Sequence, residues 1–331
     1  MKCNYSFLRI GSWNIEGAYV KVNNFYVNKL RDDEFVKNAQ AHDILCIQET
    51  HCGPHDIPSR HLNEFKPTPH CRKISGNNRY FGGMLLLIRK SIRKGVKILD
   101  TEDPDILGIT LKKDFFNLSE DVNVWFAYAP PVTSPCAIKK ENTILKLEQK
   151  LASTGSKNHL VMGDFNGRTA ATEDYIQENN DHHSPAQDID LYISDQPLPR
   201  NNSDATPTDA NGTRIIDLCK TAQMRILNGR TSGDRWGALT RYPIYRKEKP
   251  SLIDYGISST SLLPAIKSFY VLPFTTLSDH CCITTRVSVN CEIEDNDTTT
   301  MENEGKIVTW PGFQLAKVGT YNVYVPIFGH F

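Results

Sequence analysis

Short apolar runs punctuated by polar turns dominate this chain, and their lengths favour strands over helices. Residues 8–13, 43–48, 83–89, 106–111, 122–128, 159–162, 252–257 and 281–287 are brief, apolar and rich in β-branched or aromatic side chains, which predicts strands. Residues 24–41 are read as a helix. So are 134–151, where Ile144, Leu147 and Leu151 share one face with charges opposite, and the shorter stretch 215–222. Many strands and few helices predict two sheets packed face to face with the helices outside. Residues 181–213, rich in Asn, Asp, Pro and Ser, read as a long surface loop. Beyond Asn290 the chain turns acidic and polar from Glu292 to Thr298, a linker composition. Residues 306–331 are apolar and aromatic but lack a core of their own. The expected organisation is one α/β domain over 1–289 and a poorly ordered linker and tail over 290–331.

Composition changes this picture little. The 331 residues can bury a large core. Lysine plus arginine equals aspartate plus glutamate, 38 against 38, so net charge singles out no partner. Charge distribution says more. Residues 214–249 carry nine basic side chains against Asp217, Asp234 and Glu248, whereas 169–199 contain acids and no lysine or arginine. That segregation is either a basic face for a polyanion or a solvated loop with incidental charge. Nine cysteines, several inside strand-like runs (Cys46, Cys281, Cys282), fit buried free thiols in a reducing compartment better than a disulfide framework. The first residues lack a signal-peptide apolar region, and the longest apolar run, 84–88, cannot span a bilayer. An intracellular protein, cytoplasmic or nuclear, is the expectation, with no membrane and no obligate protein partner. His51, Cys52, His55, His70 and Cys71 match no zinc ribbon or finger spacing.

The candidate chemistry sits at the ends of the apolar runs. Ser12-Trp13-Asn14, Gln48-Glu49-Thr50, Tyr128-Ala129-Pro130, Gly163-Asp164-Phe165-Asn166, Ile253-Asp254-Tyr255 and Ser278-Asp279-His280 each follow or interrupt one. Carboxylates, carboxamides and a histidine delivered from many strand ends to one rim suit metal-assisted phosphodiester cleavage. A hard cation takes oxygen ligands, and a water nucleophile needs a base. Each motif alone has a plain structural reading: a strand-end glutamate, a turn asparagine, an Asx turn at Asp164 and Asn166, a structural Asp–His pair.

In this order and spacing the six motifs resemble the endonuclease/exonuclease/phosphatase (DNase-I-like) superfamily, over residues 8–287. The resemblance implies a four-layered α/β sandwich, two packed β-sheets flanked by helices. It also implies roles. Glu49 and Asp279 would serve a metal, Mg²⁺ or Mn²⁺, with Asp279 alternatively structural. Asp164 and Asn166 would orient and deprotonate the attacking water. His280, partnered by Asp254, would contact the scissile phosphate, Tyr128 would donate its hydroxyl to it, and Asn14 would orient the metal-bound carboxylate. Glu16 stands where many relatives carry Asp. The segment 227–231 and the stretch from Thr240 to Ser251 resemble the endonuclease region of non-LTR retrotransposons, in which the matching stretch forms a DNA-tracking hairpin loop. Thr240, Arg241, Tyr245, Arg246, Lys247 and Lys249 would then face duplex DNA, with Arg168 reaching a phosphate.

The leading expectation is a Mg²⁺-dependent DNA endonuclease that nicks duplex DNA, a truncated or stand-alone copy without reverse transcriptase. Three alternatives stay open: a phosphatase or phosphodiesterase acting on inositol phosphates or lipids, an abasic-site repair nuclease, and a non-catalytic domesticated copy. The phosphatase branch favours a Trp-Cys-Asp-Arg type of motif where this chain has Ser251-Leu252-Ile253-Asp254-Tyr255.

Overall fold

Both sides of the apolar runs are covered, which is why they read as continuous rather than alternating. The computed structural model describes residues 2–53, 55–57, 61–72, 80–99, 103–131, 142–176, 198–243, 248–294, 313–318 and 321–326. In chain order the elements are β1 (Lys2–Asn14), β2 (Tyr19–Val22), β3 (Phe25–Asn28), α1 (Asp33–Gln40), β4 (Ile44–Gln48), β5 (Phe65–His70), β6 (Met84–Arg89), β7 (Val96–Leu99) and β8 (Ile106–Leu111). They continue with α2 (Lys113–Phe116), β9 (Val122–Tyr128), α3 (Thr143–Ser153), β10 (His159–Asp164), α4 (Ala210–Thr221), β11 (Met224–Ile226), β12 (Asp254–Ser259), β13 (Ile266–Val271), β14 (Ile283–Glu294), β15 (Phe313–Val318) and β16 (Tyr321–Pro326).

Two six-stranded sheets result, ordered β13-β14-β1-β4-β6-β5 and β11-β12-β10-β9-β8-β7. Alternation along each strand distributes the side chains. Ile44 and Cys46 of β4 face Val124, Phe126, Leu160 and Met162 in the inter-sheet core, whereas Leu45 and Ile47 pack outward with Phe35 and Ala39 of α1. On the far side Trp125 and Val161 pack against Leu147 and Leu151 of α3 and Ile215 of α4. Helix, sheet, sheet, helix make four layers, as expected. Asp32, Asn142 and Asp209 cap α1, α3 and α4 by accepting from Glu34 N, Ile144 N and Gly212 N.

Several boundaries differ from the sequence reading. The expected helix over 24–41 is instead β3, a 3₁₀ turn (Lys29–Arg31) and α1. Asn28 caps the turn through Leu30 N, and extended Asp32 then restarts the chain as a helix. The helix read over 215–222 begins at Ala210, because Asp209 supplies its cap. The helix read over 134–151 is observed from Thr143; residues 134–141 lie outside the described residues. The final sandwich strand does not close at Val287 but runs to Glu294, pairing Glu294 with Lys2. Six elements read as loop or helix are strands: β2, β3, β5, β7, β11 and β13. Residues 295–312 lie outside the described residues, and β15 pairs β16 as a separate two-stranded hairpin. Seven described cysteines are free thiols, six of them buried. No helix among the described residues is long and apolar enough to cross a membrane.

Candidate active site

Register brings the polar strand ends together. β1 runs parallel to β4 with Asn14 opposite Gln48. In the other sheet β10 runs parallel to β9 and antiparallel to β12, with Asp164 opposite both Tyr128 and Asp254. The carboxyl ends of both central parallel pairs therefore meet at one rim.

One amide ties the two sheets there. Asn14 Nδ2 donates to Glu49 Oε1 and to Asp164 Oδ2, each at 3.0 Å. Asn14 Oδ1 accepts from Glu16 N at 3.0 Å. Asp164, 1% exposed, also accepts from Asn166 N at 2.9 Å and Asn166 Nδ2 at 3.0 Å. Burial pushes the Asp164 carboxyl up to about 7, against the opposing pull of His280. His280 Nδ1 lies 3.0 Å from Asp254 Oδ2, and its Nε2 faces Asp164 Oδ2 at 3.9 Å and Asp279 Oδ1 at 3.6 Å. Burial alone would lower this imidazole, but Asp254, then Asp164, raise it to about 10, so it carries a proton at neutral pH. Glu49 is the opposite case. Burial would raise it, yet hydrogen bonds from His51, Tyr128 and Asn14 hold it down at about 2. Tyr128 is pushed well up by burial and by Glu49 and Asp164, so its hydroxyl stays a donor.

Asp164, Asp254 and His280 each bring a ligand atom within 4.8 Å of the others. With His280 Nδ1 committed to Asp254, that trio reads better as a charge relay than as a metal cage. A hard divalent cation fits oxygen donors instead: the ionised Glu49, and Asp279 Oδ1, which is buried and has no hydrogen-bond partner among the described residues. The other Asp279 oxygen accepts from Arg241 Nε at 2.9 Å.

Some expected residues take other places. Thr240, expected to face DNA, is fully buried; its hydroxyl accepts from Ile253 N and Asp254 N and so fixes the start of β12. Arg241 is shared between Asp279 and Glu248, at 2.9 Å each. Arg168 pairs with Asp204 at 3.1 Å. Lys249 is exposed, while Tyr245, Arg246 and Lys247 lie outside the described residues. Of the nine basic residues of 214–249, Arg225 is buried and Arg230 is engaged by both oxygens of buried Asp174, so the cationic surface is smaller than the count implied. Gly163 lies within β10 rather than in the turn that follows. A Cβ there would sit 1.9 Å from Ala127 O, so the requirement is close strand approach.

Gln48 had no role in the sequence reading. Its Nε2 donates to Ala127 O at 2.7 Å and its Oε1 accepts from Asp164 N at 3.1 Å, strapping one sheet to the other directly beneath the site. Ser278 does similar work, donating to Asn14 O at 2.7 Å and accepting from His280 N at 3.0 Å. A glutamine ending a buried apolar run was the available signal for the first.

The fold recurs in solved structures. A Neisseria 3′ phosphatase, NExo, bound to a product DNA hairpin is 18% identical with a TM-score of 0.52, covering 85% of this chain and 99% of that one. The endonuclease domain of TRAS1, a telomere-specific non-LTR retrotransposon, is 12% identical with a TM-score of 0.51, covering 86% and 99%. The AP endonuclease LMAP from Leishmania major is 13% identical with a TM-score of 0.55, covering 86% and 88%. No curated protein matches the sequence. The model of the Endonuclease/Exonuclease/phosphatase family does match it, over residues 11–294, nearly the whole two-sheet sandwich, and the chain belongs to that family.

Proposed function

We propose that this chain is a divalent-metal-dependent DNA endonuclease of the retrotransposon type, hydrolysing one phosphodiester of a duplex. The observation that carries the reading is the junction of Glu49, Asn14, Asp164 and His280, one group bonded to or facing the next, across both sheets. Asp164, its carboxylate fixed by Asn14 and Asn166, takes the proton of the attacking water; a base titrating near neutrality suits that task. The water oxygen bonds to phosphorus, the bond to O3′ breaks, the leaving O3′ takes a proton from solvent water, and a 3′-hydroxyl and a 5′-phosphate result. His280, held through Nδ1 by Asp254, presents Nε2–H to a non-bridging phosphate oxygen as negative charge accumulates there. Asn166 orients the base. Glu49 and Asp279 would hold a Mg²⁺ or Mn²⁺ ion, which would supply Lewis-acid stabilisation of charge on the phosphate.

The retrotransposon assignment is supported by two segments. The stretch 227–231 places buried Asn228 against Asp254 O and Gly256 N, at 3.1 Å each, bracing the strand that carries the histidine's partner. The loop from Tyr242 to Pro250 is closed at its base by paired backbone bonds between Arg241 and Ser251. Fold likeness to the TRAS1 domain agrees with this reading.

Purified protein incubated with supercoiled plasmid, an abasic duplex and inositol phosphates, each with Mg²⁺ or EDTA, tests it. Expected is plasmid nicking that EDTA abolishes, without phosphate release from inositol phosphates. Nicking unaffected by EDTA, or turnover of inositol phosphates alone, would refute it.

A further inference from the structure

The β2–β3 hairpin leaves the catalytic rim directly after Asn14 and Glu16 and is largely exposed. Of its eight strand residues only Asn28 is buried; Phe25 is 75% and Tyr26 73% exposed. Register sorts the side chains. The opposed pairs Lys21–Tyr26 and Tyr19–Asn28 lie on one face, and Val20–Val27 and Val22–Phe25 on the other. One face is therefore cationic and phenolic, and the other wholly apolar and in water.

The ribbon is nonetheless rigidly placed. Gly17 N and Ala18 N donate to Glu49 O and Thr50 O at 2.7 and 2.9 Å, which bonds the ribbon's first end to the segment bearing Glu49, and Lys29 N donates to Ala18 O at 2.7 Å, which ties its second end to the first. Asn23 and Asn24 turn it with positive φ of 46° and 68°, the two-residue turn that matches strand twist. Asp56 accepts from Tyr19 Oη at 3.3 Å and from Gly53 N at 2.7 Å, staying the base. Across the same segment His51, 3.6 Å from Glu49, stacks on part-exposed Phe81 with ring centres 4.9 Å apart. At about 3.3 Å per residue the tip stands within roughly five base-pair steps of Glu49 on a duplex rising ~3.4 Å per step.

We infer that this hairpin is a DNA wedge. Its apolar face, centred on Phe25 and Val22, inserts against the bases beside the scissile phosphate, and Lys21 and Tyr26 lie along the backbone. The inference rests on the endonuclease reading. The ribbon starts at the backbone of Glu49 and Thr50, beside any polyanion bound there, and an apolar wedge beside a cation is how proteins unstack and bend a duplex. A protein partner would be equally served by the apolar face but gains nothing from its bonds to Glu49 and Thr50.

The test compares wild type with Val20→Thr/Val22→Thr/Phe25→Thr/Val27→Thr, which keeps strand propensity, and with a variant in which a Gly-Ser turn replaces residues 20–27. Three readouts are taken: nicking of a mapped duplex, fluorescence of 2-aminopurine placed one to five steps from the nick, and hydrolysis of bis(p-nitrophenyl) phosphate, too small to reach the hairpin. Expected are an enhancement of 2-aminopurine fluorescence by wild type only, a loss of about tenfold or more in DNA nicking by both variants, a broadened cleavage pattern, and unchanged hydrolysis of the small diester. Unchanged DNA nicking and pattern in both variants would overturn the wedge while leaving the endonuclease reading intact. So would a wild-type dimer by light scattering that the variants abolish without loss of nicking, assigning the face to a second copy. Wild type that hydrolyses the small diester but neither nicks nor unstacks DNA would overturn the endonuclease reading, and the wedge with it.

Discussion

Asp254 sets the protonation of two residues at once. Against the lowering effect of burial its charge raises His280, which with the help of Asp164 and Asp279 ends well up, and it adds to the burial that raises Asp164. The proposed mechanism needs Asp164 unprotonated and His280 protonated, so the expected pH profile is a bell with an acid limb from the first and an alkaline limb from the second. Asp254→Asn should lower both groups and move both limbs to lower pH, in addition to reducing the maximum. A pH–kcat/KM series on the mapped duplex reads this directly, and limbs that stay in place would dissociate Asp254 from the relay. Asp164→Ala and His280→Ala should each lower kcat by about 10²–10⁴-fold with DNA affinity nearly unchanged, since both act on the transition state. His280 is buried, so circular dichroism of its variant must accompany the assay. Glu49→Gln should instead raise the Mg²⁺ concentration needed for half-maximal rate, because a neutral amide replaces an ionised ligand.

At the scale of elements, α4 meets the loop after β10 more closely than a side chain allows. A Cβ on Gly212 would lie 1.7 Å from Arg168 O, and Asp209, the helix cap, also accepts from Arg168 N at 3.1 Å. Gly212→Ala should push the 166–169 loop off the helix and misplace Asn166, lowering kcat as well as the melting temperature. Asp209→Ala should cost about 1–2 kcal/mol through the missing cap. Urea titrations of both variants check these values. The same scale explains what the sequence could not disclose. Inner strands were legible because they are apolar on both faces. The four missed strands of the sandwich, β5, β7, β11 and β13, are the outermost strands of the two sheets. β5 carries Pro67 and Pro69, which an edge tolerates and a central strand does not, and β11 is three residues long. Site residues at inner strand ends were readable for the same reason that the strands were. The burial of Thr240 and the pairing of Arg241 were not, because both depend on β12 and Asp279 arriving from elsewhere in the chain.

For the whole molecule, the extent of β14 decides where the chain can be cut. Because it pairs with Lys2–Tyr5 as far as Glu294, a chain ended at Asn290 should melt at lower temperature than one ended near Thr298. The latter should keep full nicking if residues 299–331 are dispensable. Thermal melts and plasmid assays on both truncations decide it. Replacing Arg246, Lys247 and Lys249 with alanine should flatten the salt dependence of DNA binding, by up to about one log–log unit for each phosphate these side chains neutralise.

The pairing of β1 with β14 also governs when the proposed nuclease activity can arise. His280 reaches its position only when β14 has joined β1, so the histidine and the base it faces meet only after residues 283–294 have been made and paired. A nascent chain still on the ribosome carries Asn14, Glu49 and Asp164 yet lacks the group that completes them. Chain topology therefore acts as a timer, silent until β14 is made and paired. Ribosome-bound chains stalled before residue 280 should leave plasmid intact, and released full-length chains should acquire nicking with the kinetics of final sheet closure.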